Sequence, residues 1–367
     1  MNIDVEYRNF AHDREKVSTI GIGSGSLYEA KPQEIKDIIS YGMKHGINLI
    51  DTVMYDSSAA EPIAQALKGQ RDEMIMQIHL GAVYPDGIYS KTRVLSKLQN
   101  GFEQELKKYG TDYADIGIIH SVDEVCDFEK ILSDGIFDYA RKLKRDGTIR
   151  YLGFSSHSAD ICRLFIETGE IDLFMLSINA AYDFKPSSGK LALSHERMEL
   201  YKECEKQGIG ITVMKPYGGG QLLNAKTSPL GRGMTIHQCI QYALDRPAVL
   251  SCLPGIRSIA DLEDILKYYS NSEKERDYAF IGSLPHRDIY GTCIYCNHCQ
   301  PCPSGIDIGS VNKYLDLSKV GDELAKDHYM KLSKNAKDCI ECGDCEKNCP
   351  FHVDIRSKMR EAKNHFN

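Results

Sequence analysis

RYLGFSSHSADICRLFIETGEIDLFML, residues 150–176, is the stretch that decides the fold. Arg150–Phe154 is an apolar run too short for a helix and reads as a buried strand. Ser158 stands where an N-cap belongs, ahead of a helical stripe of Ile161, Leu164 and Phe165, and Gly169 supplies the stop. Asp172–Leu176 is a second short apolar run. Strand, helix and strand in this order make one parallel β-α-β unit.

The unit repeats outward in both directions. Further strands are expected at Ser18–Ile22, Asn48–Asp51, Met74–His79, Asp115–His120, Gly210–Met214 and Leu250–Leu253. Helices are expected between them. Pro32 opens one with Ile35, Ile38, Ile39 and Met43 on a face and Gly46 past its end. Leu95, Leu98, Phe102 and Leu106 mark another, and Ser258 caps a third that carries Leu262, Ile265 and Leu266. Eight alternations predict an α/β chain folded as a (β/α)8 TIM barrel. A doubly wound open sheet is the competitor. It usually carries Gly-x-Gly-x-x-Gly after its first strand, a spacing that Gly21-Ile22-Gly23-Ser24-Gly25 lacks.

From residue 286 the composition changes. Of thirteen cysteines, Cys126, Cys162, Cys204, Cys239 and Cys252 are scattered and are expected as small buried hydrophobes; the other eight crowd the C-terminus. They fall in two runs, Cys293-x2-Cys296-x2-Cys299-x2-Cys302-Pro303 and Cys339-x2-Cys342-x2-Cys345-x3-Cys349-Pro350. Three thiolates spaced by two residues wrap one corner of a [4Fe–4S] cubane, and the proline-flanked fourth ligates the other cluster in two-cluster ferredoxins. The expected sets are Cys293, Cys296, Cys299 and Cys349 for one cluster, and Cys339, Cys342, Cys345 and Cys302 for the other. Zinc is the alternative for Cys-x2-Cys pairs. The first run is one residue short before Cys302, which bears on that ligand. Residues 308–337 read as helical, so residues 1–285 are expected as the barrel and 286–367 as a small α-helical ferredoxin-like domain with two [4Fe–4S] clusters.

The formal net charge of −7 and the absence of a basic patch with interleaved aromatics argue against nucleic acid as a partner. No run approaches the ~18 apolar residues that span a bilayer. No secretory signal is visible at the N-terminus, so a cytoplasmic location is expected.

Chemistry on such a barrel sits at the C-terminal ends of its strands. Reading those ends gives Asp51, His79, His120, Ser155, Asn179, Lys215 and Gly255. Here a family resemblance emerges. Asn48-Leu-Ile-Asp51-Thr-Val-Met-Tyr55 resembles the Asp-Thr-x-x-x-Tyr stretch of aldo/keto reductases, and Asp112–His120 resembles the strand that delivers their catalytic histidine. Gly153-Phe-Ser-Ser, Met214-Lys-Pro-Tyr-Gly-Gly-Gly220 and Leu253-Pro-Gly-Ile-Arg257-Ser258 are similar to successive cofactor segments. With the cysteine runs, the chain is most similar to aldo/keto reductases that carry a C-terminal ferredoxin-like domain.

The resemblance implies hydride transfer between NADP(H) and a small-molecule carbonyl or alcohol, with Tyr55 as general acid, Asp51 as its tuning carboxylate and His120 orienting the substrate oxygen. It places His79 where the family has lysine, so an Asp51–His79 pair is expected to take over from Asp–Lys. It also places Ser155, Ser156, Asn179, Lys215, Gly255, Arg257 and Ser258 at cofactor positions. Gly255 and Ser258 offer backbone N–H groups at a helix start, and Arg257 suits a 2′-phosphate. Three family positions depart: Ser156 stands for the nicotinamide asparagine, Met175 for a glutamine, and Ile265 for the adenine asparagine.

A nicotinamide moves two electrons as hydride, whereas each cluster moves one at a time. Three functions therefore stay open at this point: an NADP(H)-dependent oxidoreductase, a redox enzyme exchanging electrons between its clusters and a barrel-bound substrate without nicotinamide, and a binding protein with structural clusters. An electron-transfer partner and an anaerobic setting are compatible expectations. Loops 81–91, 121–130 and 217–232, with Tyr84 or Tyr217, are expected to shape the pocket.

Overall fold

The computed structural model describes residues 4–10, 15–187, 190–283, 291, 293, 299–319, 325–349 and 352–366. Two compact units are present: residues 1–178, 194–216 and 240–277, and residues 179–193, 217–239 and 278–367. The expected boundary at 285 lies outside the described residues.

The first unit holds eight parallel strands: β1 (Ile22–Gly23), β2 (Leu49–Asp51), β3 (Ile75–Leu80), β4 (Ala114–Ile119), β5 (Ile149–Ser156), β6 (Leu173–Ser177), β7 (Gly210–Met214) and β8 (Val249–Cys252). They pair in sequence order. Parallel bridges Ile20–Cys252 and Gly23–Gly255 join the first strand to the last and close the sheet into a barrel. Closure leaves no edge strand exposed.

The first expected strand, Ser18–Ile22, is broken. Lys16–Ser18 instead pairs antiparallel with Tyr7–Asn9. The cause is local: the Ser18 hydroxyl donates to the Ile20 carbonyl (2.7 Å), and its N–H donates to the Asn48 side chain (2.8 Å). These bonds replace ladder bonds and turn the chain before β1.

The barrel interior follows the period of two along each strand. Leu49, Ile75, Ile116, Ile118, Tyr151 and Leu173 fill it with Phe10 and Val17 from the N-terminal hairpin. Phe10 stacks on Tyr151 at 4.2 Å. Above this apolar layer, register brings Asp51 opposite Gln77 and Met175 opposite Thr212. An apolar base beneath a polar layer at the C-terminal strand ends is what positions the site.

Close strand packing makes Gly153 obligatory. A Cβ there would lie 2.6 Å from both the Leu173 carbonyl oxygen and its Cδ2, and 2.9 Å from Ile118 Cδ1. Backbone at that distance has nowhere to move, so Gly153→Ala is expected to cost about 1–3 kcal/mol. Anaerobic thermal unfolding checks it; an unchanged midpoint would refute the packing argument.

The second unit has its own core, with Ile306, Val311, Leu315, Tyr329, Met359 and Phe366 buried. Its helices include Ile308–Lys319, Ala325–Met330 and Ile355–His365, and Tyr329 stacks on Phe366 at 4.0 Å. Among the scattered cysteines, Cys162, Cys204, Cys239 and Cys252 are buried, but Cys126 is exposed. It lies in the first turn of helix Val125–Ser133, whose buried residues are Phe128 and Ile131. No helix among the described residues is long and apolar enough to cross a membrane.

Candidate active site

Three adjacent strands deliver the central cluster. On β3 the alternation sends Ile75, Gln77 and His79 inward. Asp51, at the end of β2, accepts at one oxygen from Gln77 Nε2 (2.9 Å) and from His79 Nε2 (2.8 Å). Gln77 is fully buried; its oxygen accepts from the Thr212 hydroxyl at 3.1 Å, and its amide also reaches Met175 Sδ at 3.3 Å. Asp51, His79 and His120 are all buried. The carboxylate, taken out of water, is compensated by two donors converging on one atom.

His79 Nδ1 lies 2.8 Å from His120 Nδ1, and His120 Nε2 lies 2.6 Å from the Tyr89 hydroxyl. The backbone at His120 is clamped from β3's return segment. Arg93 donates to the His120 carbonyl (2.7 Å) and grips Asp127 with two nitrogens. Burial, then the neighbouring His79, Arg93 and Lys91, hold His120 well below the ordinary histidine range.

The two aromatic candidates stand on facing segments. The Tyr89 N–H donates to the Tyr55 carbonyl at 2.9 Å, and Asp56 bridges Ile88 antiparallel. The Tyr55 ring packs against Tyr28 at 5.4 Å. Tyr84 turns inward instead: its hydroxyl accepts from the Met54 N–H (3.2 Å), and burial raises its pKa strongly.

A second network lies at the ends of β5 and β7. His157 Nδ1 meets Asp123 at 3.1 Å, and its Nε2 accepts from Lys215 Nζ at 3.1 Å. The Ser156 hydroxyl donates to the same Asp123 (3.0 Å), and Ser155 Oγ accepts from the Ser121 N–H (2.7 Å). Lys215 has a φ of 55°, a strained value for a side-chain-bearing residue. Burial, then Lys215, lower the pKa of His157.

Both histidines are thus held neutral. Their unfolded reference is about 6.5, so below it the unfolded chain binds more protons than the folded one. Their contribution is complete above that pH and is lost as pH falls toward the lowered folded values. His157→Asn should therefore lose less melting temperature between about pH 7 and about pH 5 than the parent protein. Equal losses would show that His157 does not carry this linkage.

The remaining cofactor positions are placed as follows. Asn179 is buried and caps the short helix Ala180–Asp183 through its side chain. Ser258 caps helix Ile259–Leu266. Gly255 bridges Gly23, and a Cβ on it would meet Ser26 Oγ at 3.2 Å. Arg257 is half exposed and 3.7 Å from Asp261. Gly255, Arg257 and Ser258 together fit a phosphate: a close backbone approach, an accessible guanidinium and a helix start.

The aldo/keto reductase family model matches residues 19–237, well over half of the chain. The chain belongs to the aldo/keto reductase family. An uncharacterized oxidoreductase of Bacillus subtilis, YqkF, is 24% identical over 304 residues, covering 75% of this chain and 94% of that protein. The holo form of an aldo-keto reductase from Bacillus halodurans shares the fold with a TM-score of 0.61 at 19% identity, over 77% of this chain and 97% of that one. An aldo/keto reductase from Klebsiella pneumoniae, in complex with NADP and acetate, gives a TM-score of 0.54 at 18% identity, over 75% and 94% of the two chains.

This aldo/keto reductase carries a further domain. A 4Fe-4S dicluster domain model matches residues 292–354, so the enzyme is an iron–sulfur oxidoreductase. Cys302, Cys339, Cys342 and Cys345 line one small cavity together with apolar Ile306, Ile308 and Met359. Four thiols in an apolar wall suit a cubane, whose iron takes soft thiolate ligands. Cys299 and Cys349 are buried in the core of the same unit, with Cys293 packed against it. Asn312 Nδ2 lies 3.3 Å from Cys293 Sγ. Cys296 lies outside the described residues.

Sequence reading missed Gln77, Tyr89, Asp123 and His157. Gln77 carried a signal, since it shares His79's parity on an otherwise apolar strand. His157 directly follows the two serines that were noticed. Tyr89 and Asp123 lie in loops and carried none.

Proposed function

We propose that this aldo/keto reductase reduces a small carbonyl compound, or oxidises the matching alcohol, with NADP(H). The observation that carries the proposal is the buried Asp51–His79–His120 cluster at the C-terminal ends of β2, β3 and β4. The cofactor, when bound, supplies the hydride to the carbonyl carbon. Gly255, Arg257 and Ser258 would hold its phosphates, and Ser155, Ser156 and Lys215 would face its nicotinamide half; the NADP complex of the Klebsiella relative supports the choice of cofactor.

The chain's own residues manage the proton. Tyr55 stands one residue nearer Asp51 than in the Asp-Thr-x-x-x-Tyr stretch and is the donor implied by resemblance, while Tyr89 is the tyrosine bonded to the cluster. His79 replaces the usual lysine and shares its proton with Asp51. Two [4Fe–4S] clusters are proposed, with Cys293, Cys296, Cys299 and Cys349 on one and Cys302, Cys339, Cys342 and Cys345 on the other.

Anaerobic titration with NADPH tests the reading. Saturable binding without cluster bleaching, followed by aldehyde-dependent NADPH oxidation, is expected. A second reading, electron exchange between clusters and substrate without nicotinamide, is favoured by one contact inside the second unit. Gln221, seven residues after β7 ends and before β8, donates to the Cys293 carbonyl at 2.7 Å and so bonds the β7–β8 connection to a cluster run. Absence of NADPH binding, with cluster reduction by a low-potential donor, would replace the first reading by the second.

A further inference from the structure

The acid–base cluster does not end at His120. Asp51 Oδ1, His79 Nε2 and Nδ1, His120 Nδ1 and Nε2, and the Tyr89 hydroxyl form one continuous chain with links of 2.8, 2.8 and 2.6 Å. Asp51, His79 and His120 are buried; Tyr89 alone is partly exposed. The only member that can meet a substrate is therefore at one end, and the only fixed charge is at the other.

Donor and acceptor roles follow from the ends. An ionised Asp51 only accepts, so His79 Nε2 carries a proton. The short Nδ1–Nδ1 link between the histidines holds one proton, never two. That leaves two arrangements on the same heavy atoms. In the first, neutral His79 accepts from His120 Nδ1–H, and His120 Nε2 accepts from the Tyr89 O–H. In the second, His79 is an imidazolium paired with Asp51, its Nδ1–H donates to His120, and His120 Nε2–H donates to Tyr89. They differ by one proton.

We infer that Tyr89 is the group that exchanges a proton with the substrate oxygen, and that His120 and His79 relay that proton from and to the Asp51 end. The inference rests on the site being one for carbonyl reduction. In that direction the loaded chain is the second arrangement. With hydride on the carbonyl carbon, which a bound nicotinamide would supply, the carbonyl π pair would move onto oxygen, and that oxygen would take the Tyr89 proton. The phenolate is refilled from His120 Nε2, His120 Nδ1 is refilled from His79 Nδ1, and His79 is left neutral against Asp51. One proton from solvent reloads the chain; alcohol oxidation runs it backwards.

This also accounts for His79. A lysine has one nitrogen, so it can hold a charge beside Asp51 but cannot take a proton on one atom and release another elsewhere. Imidazole can. The relay needs that property twice, at 79 and at 120. Tyr89 is held in place by its N–H on the Tyr55 carbonyl and by the ribbon of Ala82–Val83 with Ser90–Lys91. The charged and titratable groups facing the two rings are Asp51 from β2, Tyr84, Tyr89, Lys91 and Arg93 from the segment after β3, and Asp123 from the loop after β4.

The test uses oxidised, full-length holoenzyme with [15N]histidine, and NADPH with 4-nitrobenzaldehyde as the probe carbonyl. On acidification His120 should stay neutral and switch from the Nδ1–H to the Nε2–H tautomer. Tyr89→Phe should move that switch to lower pH and lower kcat about 100-fold, with NADPH affinity changed less than about threefold. His120 keeping one tautomer across the whole pH range of activity would overturn the relay. So would a Tyr89→Phe enzyme within about threefold of the parent kcat, with Tyr55→Phe carrying the loss instead. A parent enzyme that neither binds NADPH nor reduces the probe would refute the reductase reading, and the histidine spectra would still decide the relay.

Discussion

Asp51→Asn is expected to lower turnover about 1,000-fold while leaving NADPH affinity within about threefold. The carboxylate accepts from Gln77 and His79 at the same oxygen, 2.9 and 2.8 Å away. A carboxamide can turn its oxygen toward those donors, which keeps the geometry but removes the charge. An imidazolium at position 79 then has no counter-ion in a buried site, and the proton that refills the tyrosine is no longer held there. If the amide nitrogen turns inward instead, it confronts two donors, and the folded state loses about 1–3 kcal/mol. Anaerobic kinetics with a probe aldehyde, alongside thermal unfolding, separate the two effects. Retention of more than about a tenth of the parent kcat would remove Asp51 from the proton path.

The second large effect concerns the cysteines. With two cubanes per chain, the parent protein should carry about eight iron and about eight sulfide. Cys302 belongs by sequence to the first run, yet it lines one cavity with Cys339, Cys342 and Cys345 of the second. Removing Cys302 and Cys339 together should therefore strip two ligands from a single cubane and leave the other whole. The Cys302→Ala/Cys339→Ala enzyme is expected to keep about four iron, with an intact signal from one cluster on reduction. If each run instead held its own cluster, the same double change would damage both, and iron would fall well below that. The thiols are part of the second unit's core, where Cys299 and Cys349 are buried and Cys302, Cys339 and Cys345 pack against it. Loss of a cluster should accordingly also raise protease sensitivity in residues 291–366.

The proton path and the cluster ligation were legible to different degrees. Eight apolar runs separated by capped helical stripes led directly to the barrel, because strand and helix periods are properties of neighbouring residues. Strand ends shifted by a residue or two, and Ser18–Ile22 broke where Ser18 traded ladder bonds for side-chain bonds. The cysteine runs were legible for the same local reason, since ligand spacing is written along the chain. Cys126 misled because burial depends on which helix face meets the barrel, and it sits on the outer one.

By itself, the sequence determined the repeating β-α unit, the cluster-binding chemistry and the small set of polar strand ends from which Asp51, His79 and His120 were drawn. Each of those follows from spacing within one segment. The tertiary structure alone decided that Gln77 shares the Asp51 oxygen, that His79 bonds His120 rather than standing as a lysine would, and that Tyr89 closes the chain. These depend on barrel register and on where a loop returns. A hydrogen bond between side chains 41 or 31 positions apart leaves no trace in either segment, because it is fixed by the closing of strands around a common axis.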